Sequence, residues 1–215
     1  MKNYLPLALL LFTLLLVHVD GEAQNIEIKP SYGYQFGTKL NYGSNYLKVA
    51  DSDEFGVSLG IEMAPNYFAG VSYKHQSTEL LIRDRVVSPV EDRLSDLAVD
   101  WIHLEGTRYF KNDKVSPFVG AGLGMVIFSP SNENSDIISG GLSATTRLSF
   151  SLKGGIRIMF TDRVGLNLQG DLLIPVQWGG VYIGAGSGGV SSGASFSSTT
   201  LIGGFSGGLV FLLGN

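Results

Sequence analysis

The side chains best suited to chemistry are three histidines, at positions 18, 75 and 103, with the acids and hydroxyls near them. His75, Ser77 and Glu79 recur at every second residue, so an extended chain puts all three on one face. Histidine beside serine is the minimum for nucleophilic acyl transfer, the imidazole taking the hydroxyl proton as the oxygen attacks. Two residues apart on one strand, these side chains start roughly 6.5–7 Å apart and must lean together to meet. A polar cap at a strand end accounts for the same residues without chemistry and is the expected role. For His103, close to Glu105, the expectation is an interior charge network rather than a proton relay.

No metal site or cofactor is expected. Asp51, Asp53 and Glu54, and Glu91 with Asp92, are acids of the kind that hold calcium, but a solvated loop face explains them more simply. The glycine runs at 120–124 and 184–189 neither open a helix nor carry the Lys-Ser/Thr of a phosphate loop. Arg83, Arg85 and Arg93 are interrupted by Asp84, Glu91 and Asp92, which makes a mixed surface rather than a basic patch. Cysteine is absent, removing disulfide scaffolds, zinc-thiolate sites and cysteine nucleophiles. A net charge of -4 leaves no excess of Lys and Arg to neutralise phosphates, so nucleic acid is not an expected partner.

Glycine accounts for 29 of 215 residues and charged residues for only 16%, an imbalance foreign to a helical core. At the start, Lys2 precedes an apolar run from Leu5 to Val17, followed by His18 and the small residues Gly21 and Ala23. A run this short does not span a bilayer as a helix, and the small-x-small pattern predicts a secretory signal peptide over 1–23. The rest, 24–215, is expected to be one domain.

From residue 24 onward the apolar period is two. Ile26, Ile28, Tyr32, Tyr34 and Phe36 share one face of the first segment, with Glu27, Lys29 and Gln35 on the other. Further segments cover 55–63, 67–78, 98–110, 117–128, 145–160, 164–176 and 201–213. Phe68 breaks the alternation of the third segment, and Asp100 and Arg108 fall on the apolar side of the fourth, where both are assigned to strand ends. Short connections (64–66, 111–116, 161–163) alternate with long polar ones (38–54, 79–97, 129–144, 178–200). That segregation predicts an all-β, eight-stranded antiparallel up-and-down transmembrane β-barrel, with both termini on the short-turn, periplasmic side.

The polar faces hold small residues and both signs of charge: Glu27, Lys29, Glu62, Lys74, His103, Glu105, Lys153, Arg157 and Asp171. Inside a narrow barrel such residues satisfy one another, whereas a soluble ligand-binding barrel would invert every face. A three-residue turn at 161–163 puts Lys153 opposite Asp171, and the turn at 64–66 puts Gly60 beside Gly70 and Leu59 beside Val71. Aromatic girdles are expected from Tyr67, Phe110, Phe118 and Phe160 at the short-turn end, and from Phe36, Tyr73, Phe128 and Trp178 at the far end.

Thr107, Arg108, Tyr109 and Phe110, a short turn, then Pro117 to Gly124 and the hairpin from Gly154 to Asp171 together resemble the OmpA-type and Opa-like outer-membrane β-barrel families. The resemblance implies a Gram-negative outer-membrane protein inserted by the barrel-assembly machinery. Its partners would be membrane lipid and lipopolysaccharide, with a possible surface ligand through the loops at 38–54, 79–97, 129–144 and 178–200; a monomer is expected. No peptidoglycan-binding domain is expected to follow, and the last strand runs Leu209, Val210, Phe211, Leu212, Leu213, Gly214, Asn215 rather than ending on the terminal aromatic residue common in such barrels. The expected function is non-enzymatic, a structural or surface-interaction role with a plugged, charge-paired interior. A small channel or hydrophobe-transfer barrel is the alternative. The His75-x-Ser77 pair is similar to that of the outer-membrane lipid A 3-O-deacylases, which gives a lipid A-modifying hydrolase using His75 and Ser77 as the lower alternative.

Overall fold

The computed structural model describes residues 25–110, 114–138, 141–176, 182–186, 189–193 and 200–214. The expected signal peptide and Trp178 lie outside them. Every regular element among the described residues is a strand: β1 Ile26–Gln35, β2 Thr38–Tyr42, β3 Asn45–Val49, β4 Ser52–Ala64, β5 Tyr67–Asp84, β6 Ser88–Tyr109, β7 Val115–Ser131, β8 Thr145–Met159, β9 Val164–Pro175, β10 Tyr182–Gly186, β11 Gly189–Gly193 and β12 Ile202–Leu213.

Eight of these form a closed antiparallel ring in the order β1, β4, β5, β6, β7, β8, β9, β12, with β12 pairing back onto β1 from Ile26 opposite Leu213 to Gln35 opposite Gly204. Closure leaves no edge in the ring, which is how a sheet crosses a bilayer with its backbone satisfied. The registers follow from the short turns. Lys153 stands opposite Asp171, Leu59 opposite Val71 and Gly60 opposite Gly70. At the β4–β5 turn Asn66 adopts a φ of 64°, a left-handed conformation that asparagine tolerates.

A belt of exposed apolar side chains encircles the ring, including Phe55, Leu59, Leu104, Val119, Leu123, Leu152, Phe205 and Leu209. Glu27, Lys29, Lys74, His103, Lys153 and Arg157 are buried inside. A soluble barrel would show the reverse. Glycines on β7 make room within: a Cβ at Gly120 would stand 2.7 Å from Lys153 Cε, and one at Gly122 would stand 2.5 Å from Ser151 Oγ and 2.9 Å from Glu105 Cγ.

The expected long loops are partly strand. The 38–54 segment contains β2, β3 and the start of β4, the hairpin turning at Gly43 with a φ of 63°. Residues 79–97 belong almost wholly to β5 and β6, which leave only Arg85–Val87 as a turn. In the 129–144 segment β7 continues to Ser131. Of the 178–200 segment, β10 and β11 pair with each other, and most of the rest lies outside the described residues. The alternation misled at 79–97 because the apolar residues change faces there. Lower in β5, Val71 and Tyr73 point out and Ser72 and Lys74 in; higher up, Leu80 and Ile82 point in while Glu79 and Arg83 point out. In β6 the same exchange separates Leu104 and Ile102, outside, from Trp101, Val99 and Leu97, inside.

The interior therefore changes character along the axis. Leu97, Val99, Trp101, Val126, Leu173 and Ile202 form an apolar cluster in the upper barrel. Beyond it Leu47, Ile82, Leu94 and Ile138 form a second, joining the β2–β3 hairpin to the extensions of β5 and β6. Each such side chain stabilises the extension by about 1.5–3 kcal/mol through burial.

Candidate functional site

Two groupings of polar side chains stand out, one inside the ring and one outside. At the short-turn end of the interior, Glu27 is 1% exposed and collects three donors. Lys29 Nζ lies 2.5 Å from Oε1, Arg157 Nη1 donates to Oε2 at 2.9 Å, and Tyr109 Oη donates to both oxygens at 2.9 and 2.8 Å. The Arg157 guanidinium lies 3.7 Å from the centre of the Tyr109 ring, and Phe68 and Phe118 complete an aromatic collar around it. Phe118 is thus an interior residue, 2% exposed, and not part of the outer girdle. Its register puts it beside the inward Tyr109. Phe68, the break in the third segment, is explained by the same collar.

At mid-depth Lys153 pairs with Glu105, and Lys74 sits between Glu54 at 2.8 Å and Asp171 at 2.7 Å. Lys153 and Asp171 face each other across the strands, yet each takes its ion-pair partner from elsewhere in the ring. Glu54 was grouped with loop acids in sequence, although it shares the inward parity of Gly56 and Ser58; the structure has it 3% exposed. Glu62 lies outside the network: it accepts from Asn25 Nδ2 at 2.5 Å and from the Asn66 backbone N–H at 3.1 Å, capping the turn. His103 lies 2.9 Å from Ser149 Oγ and stacks at 6.0 Å against Trp101. A void of about 20 Å³ lined by Lys29, Lys74, Glu105 and Lys153 has room for about one water.

Among the expected girdle residues, Tyr67, Phe110 and Phe160 are exposed at the short-turn end. Tyr73 and Phe36 face outward at the far end, where Tyr32, Tyr34, Phe55 and Phe205 join them. Phe128 does not. It pairs with the inward Val99 and packs edge-on against Trp101 at 6.4 Å, so it belongs to the apolar cluster of the interior.

The outer grouping lies just above the belt. His75 and Ser77 do lean together, with Nε2 to Oγ at 3.1 Å. The third partner is not Glu79, which has no side-chain hydrogen bond to either among the described residues, but Asp100, whose Oδ1 is 2.7 Å from His75 Nδ1. Asp100 stands opposite His75 in the β5–β6 register and well inside β6, not at a strand end, because β6 continues to Ser88. Its parity with Ile102 and Leu104 was the signal. Tyr73 Oη donates to the same carboxylate oxygen at 2.7 Å, and the Phe55 ring lies 5.1 Å from the imidazole.

Comparison with solved structures places this architecture. The chain superposes on the outer membrane protein OprG from Pseudomonas aeruginosa with a TM-score of 0.68 at 10% identity, covering 89% of this chain and 97% of that one. Neisserial surface protein A matches with a TM-score of 0.56 at 13% identity, over 88% of this chain and 99% of that one. The fold is that of the eight-stranded outer-membrane β-barrels. No protein-family model matches the sequence, and no curated protein matches it. At these identities the likeness is one of fold, and function has to be argued from the residues.

Proposed function

We propose that the chain is an OmpA- or Opa-like barrel of a Gram-negative outer membrane that works at its outer surface rather than through its lumen, in a structural or surface-interaction role. The observation that carries this reading is the stacked interior. The Glu27 collar, the Lys153–Glu105 pair, the Glu54–Lys74–Asp171 group and the apolar cluster around Trp101 succeed one another along the axis, which supports the reading of a plugged lumen. Eight strands leave room for little beyond side chains. A small channel or hydrophobe-transfer path would have to breach a charged layer and an apolar layer in turn.

In this reading residues 1–23 are the export signal, 24–215 form a single monomeric domain inserted by the barrel-assembly machinery, and both termini are periplasmic. The β2–β3 hairpin and the tops of β5 and β6 then stand outside the cell, with lipopolysaccharide and a surface ligand as the partners of the 38–54, 79–97, 129–144 and 178–200 segments.

A comparison of boiled and unboiled samples from fractionated envelopes tests the placement, a mobility shift in the outer-membrane fraction being the expected result. Planar bilayers test the lumen. Silence is expected, and resolved single-channel steps would give the channel reading precedence.

A further inference from the structure

Asp100 is the clue that the outer face does more than present a surface. An acid among outward apolar residues at a membrane boundary is costly to place, and an ionisable side chain in that setting calls for a function. We propose that Ser77, His75 and Asp100 form a serine acyl-hydrolase site acting on a carboxylic ester of a membrane amphiphile with an amine-bearing, zwitterionic head group. This adds a chemistry to the surface role above, revises the expectation that the chain does none, and rests on the membrane placement.

The geometry orders the three groups by role. A carboxylate only accepts hydrogen bonds, so the 2.7 Å contact puts the imidazole proton on Nδ1 and leaves the Nε2 lone pair toward Ser77 Oγ, 3.1 Å away. That is a general base aimed at a hydroxyl, oriented by an acid on the neighbouring strand. Tyr73 Oη holds the Asp100 carboxylate and is a positioning residue. Ser77 is exposed, whereas the His75 and Asp100 side chains are 23% and 24% exposed, leaving the nucleophile the accessible member.

Position selects the substrate. Tyr32, Phe55 and Tyr73 mark the upper limit of the apolar belt, and amphipathic rings of this kind sit at head-group level. Ser77 lies four residues beyond Tyr73 on the same face, on the head-group side of these rings, where acyl chains join head groups through esters. The exposed carboxylates nearby on this face, Asp53 and Glu79, repel an anionic head group and favour an amine.

Ser77 Oγ bonds to the acyl carbon as its proton passes to Nε2; the ester C–O bond then breaks and the departing alcohol takes that proton. Water repeats the cycle on the acyl-serine, giving its proton to Nε2 and its oxygen to the acid, and Ser77 is restored.

The test uses the full-length protein folded in detergent, its heat shift checked first. A fluorophosphonate is expected to modify Ser77, seen by peptide mass. Fatty acid release from phosphatidylethanolamine in mixed micelles should exceed that from phosphatidylglycerol at least about tenfold. Ser77→Ala should abolish both signals. Asp100→Asn should lower kcat by up to about 10⁴-fold, and Tyr73→Phe should lower kcat a few-fold with KM unchanged. A heat-shifted barrel with no label on Ser77, or with release unaffected by Ser77→Ala, overturns the chemistry. Equal cleavage of both phospholipids overturns the head-group assignment, and cleavage of soluble p-nitrophenyl butyrate alone overturns the lipid substrate. A soluble protein without the heat shift would instead remove the membrane placement on which the proposal rests.

Discussion

The belt of the barrel and the extension above it are built from the same two strands and obey opposite rules. In the lower halves of β5 and β6, Val71, Leu104 and Ile102 face outward and Ser72, Lys74 and His103 are buried. In the upper halves, Leu80, Ile82, Leu97 and Val99 turn inward and Glu79, Arg83 and Asp96 outward. The period of two never changes; what changes is the solvent outside. Where lipid surrounds the wall the polar groups must find partners in the lumen, and where water surrounds it the apolar groups must find a core. Tyr73, His75 and Asp100 stand at the exchange, which is why a hydrogen-bonded cluster can occupy an otherwise greasy face.

The largest effect that would sharpen this contrast comes from the lumen of the lower region. Lys74→Ala strands Glu54 and Asp171 without their cation, and urea unfolding read by gel mobility should lose about 3–5 kcal/mol. In the upper region Leu94, fully buried, anchors the apolar cluster. Leu94→Ala should cost the extension about 2–5 kcal/mol, appearing as protease cleavage near β2 and β3 while the heat shift persists. Loss of the heat shift as well would mean the two regions fold as one. A single kind of substitution then compares the two outer faces: Leu104→Arg should cost about 2–4 kcal/mol in the belt, and Val90→Arg, at an exposed site, no more than about 0.5 kcal/mol. Equal costs would abolish the distinction.

The smallest effect concerns pH. Burial and the bond to Asp84, 3.1 Å from Tyr42 Oη, push the Tyr42 phenol above its ordinary value of 10.0. A group raised in the folded state stabilises it fully below its unfolded value and loses that contribution as pH rises through the folded one. The extension should therefore loosen progressively above about pH 10, measured as faster amide exchange in β2, and Tyr42→Phe should remove that dependence. A belt that loosened in parallel would point to a global cause.

Much of the ring was readable from alternation and turn length. The inward parity of Lys153, Asp171, Glu27 and Lys29 and the pairing of Leu59 with Val71 need only period-two geometry and short turns. Phe118 and Phe128 were misplaced because an aromatic residue is equally at home in a girdle or an interior collar, and only parity, overruled at sequence level by their position near strand ends, separates the two. The upper hairpin was mistaken for a loop because a search for outward apolar faces cannot see a strand whose apolar face has turned in.

What the sequence determined by itself, then, is local: the strand period, the turns and the registers they impose, since each depends on neighbours a few residues apart. Which charges pair was decided by the closed ring. Lys74 reaches Asp171, 97 positions away in the chain, and Arg157 reaches Glu27, 130 positions away, because curvature brings non-adjacent strands across a narrow lumen. The meeting of Asp100 with His75 was likewise decided by the β5–β6 pairing, which no two-residue spacing along one strand could supply.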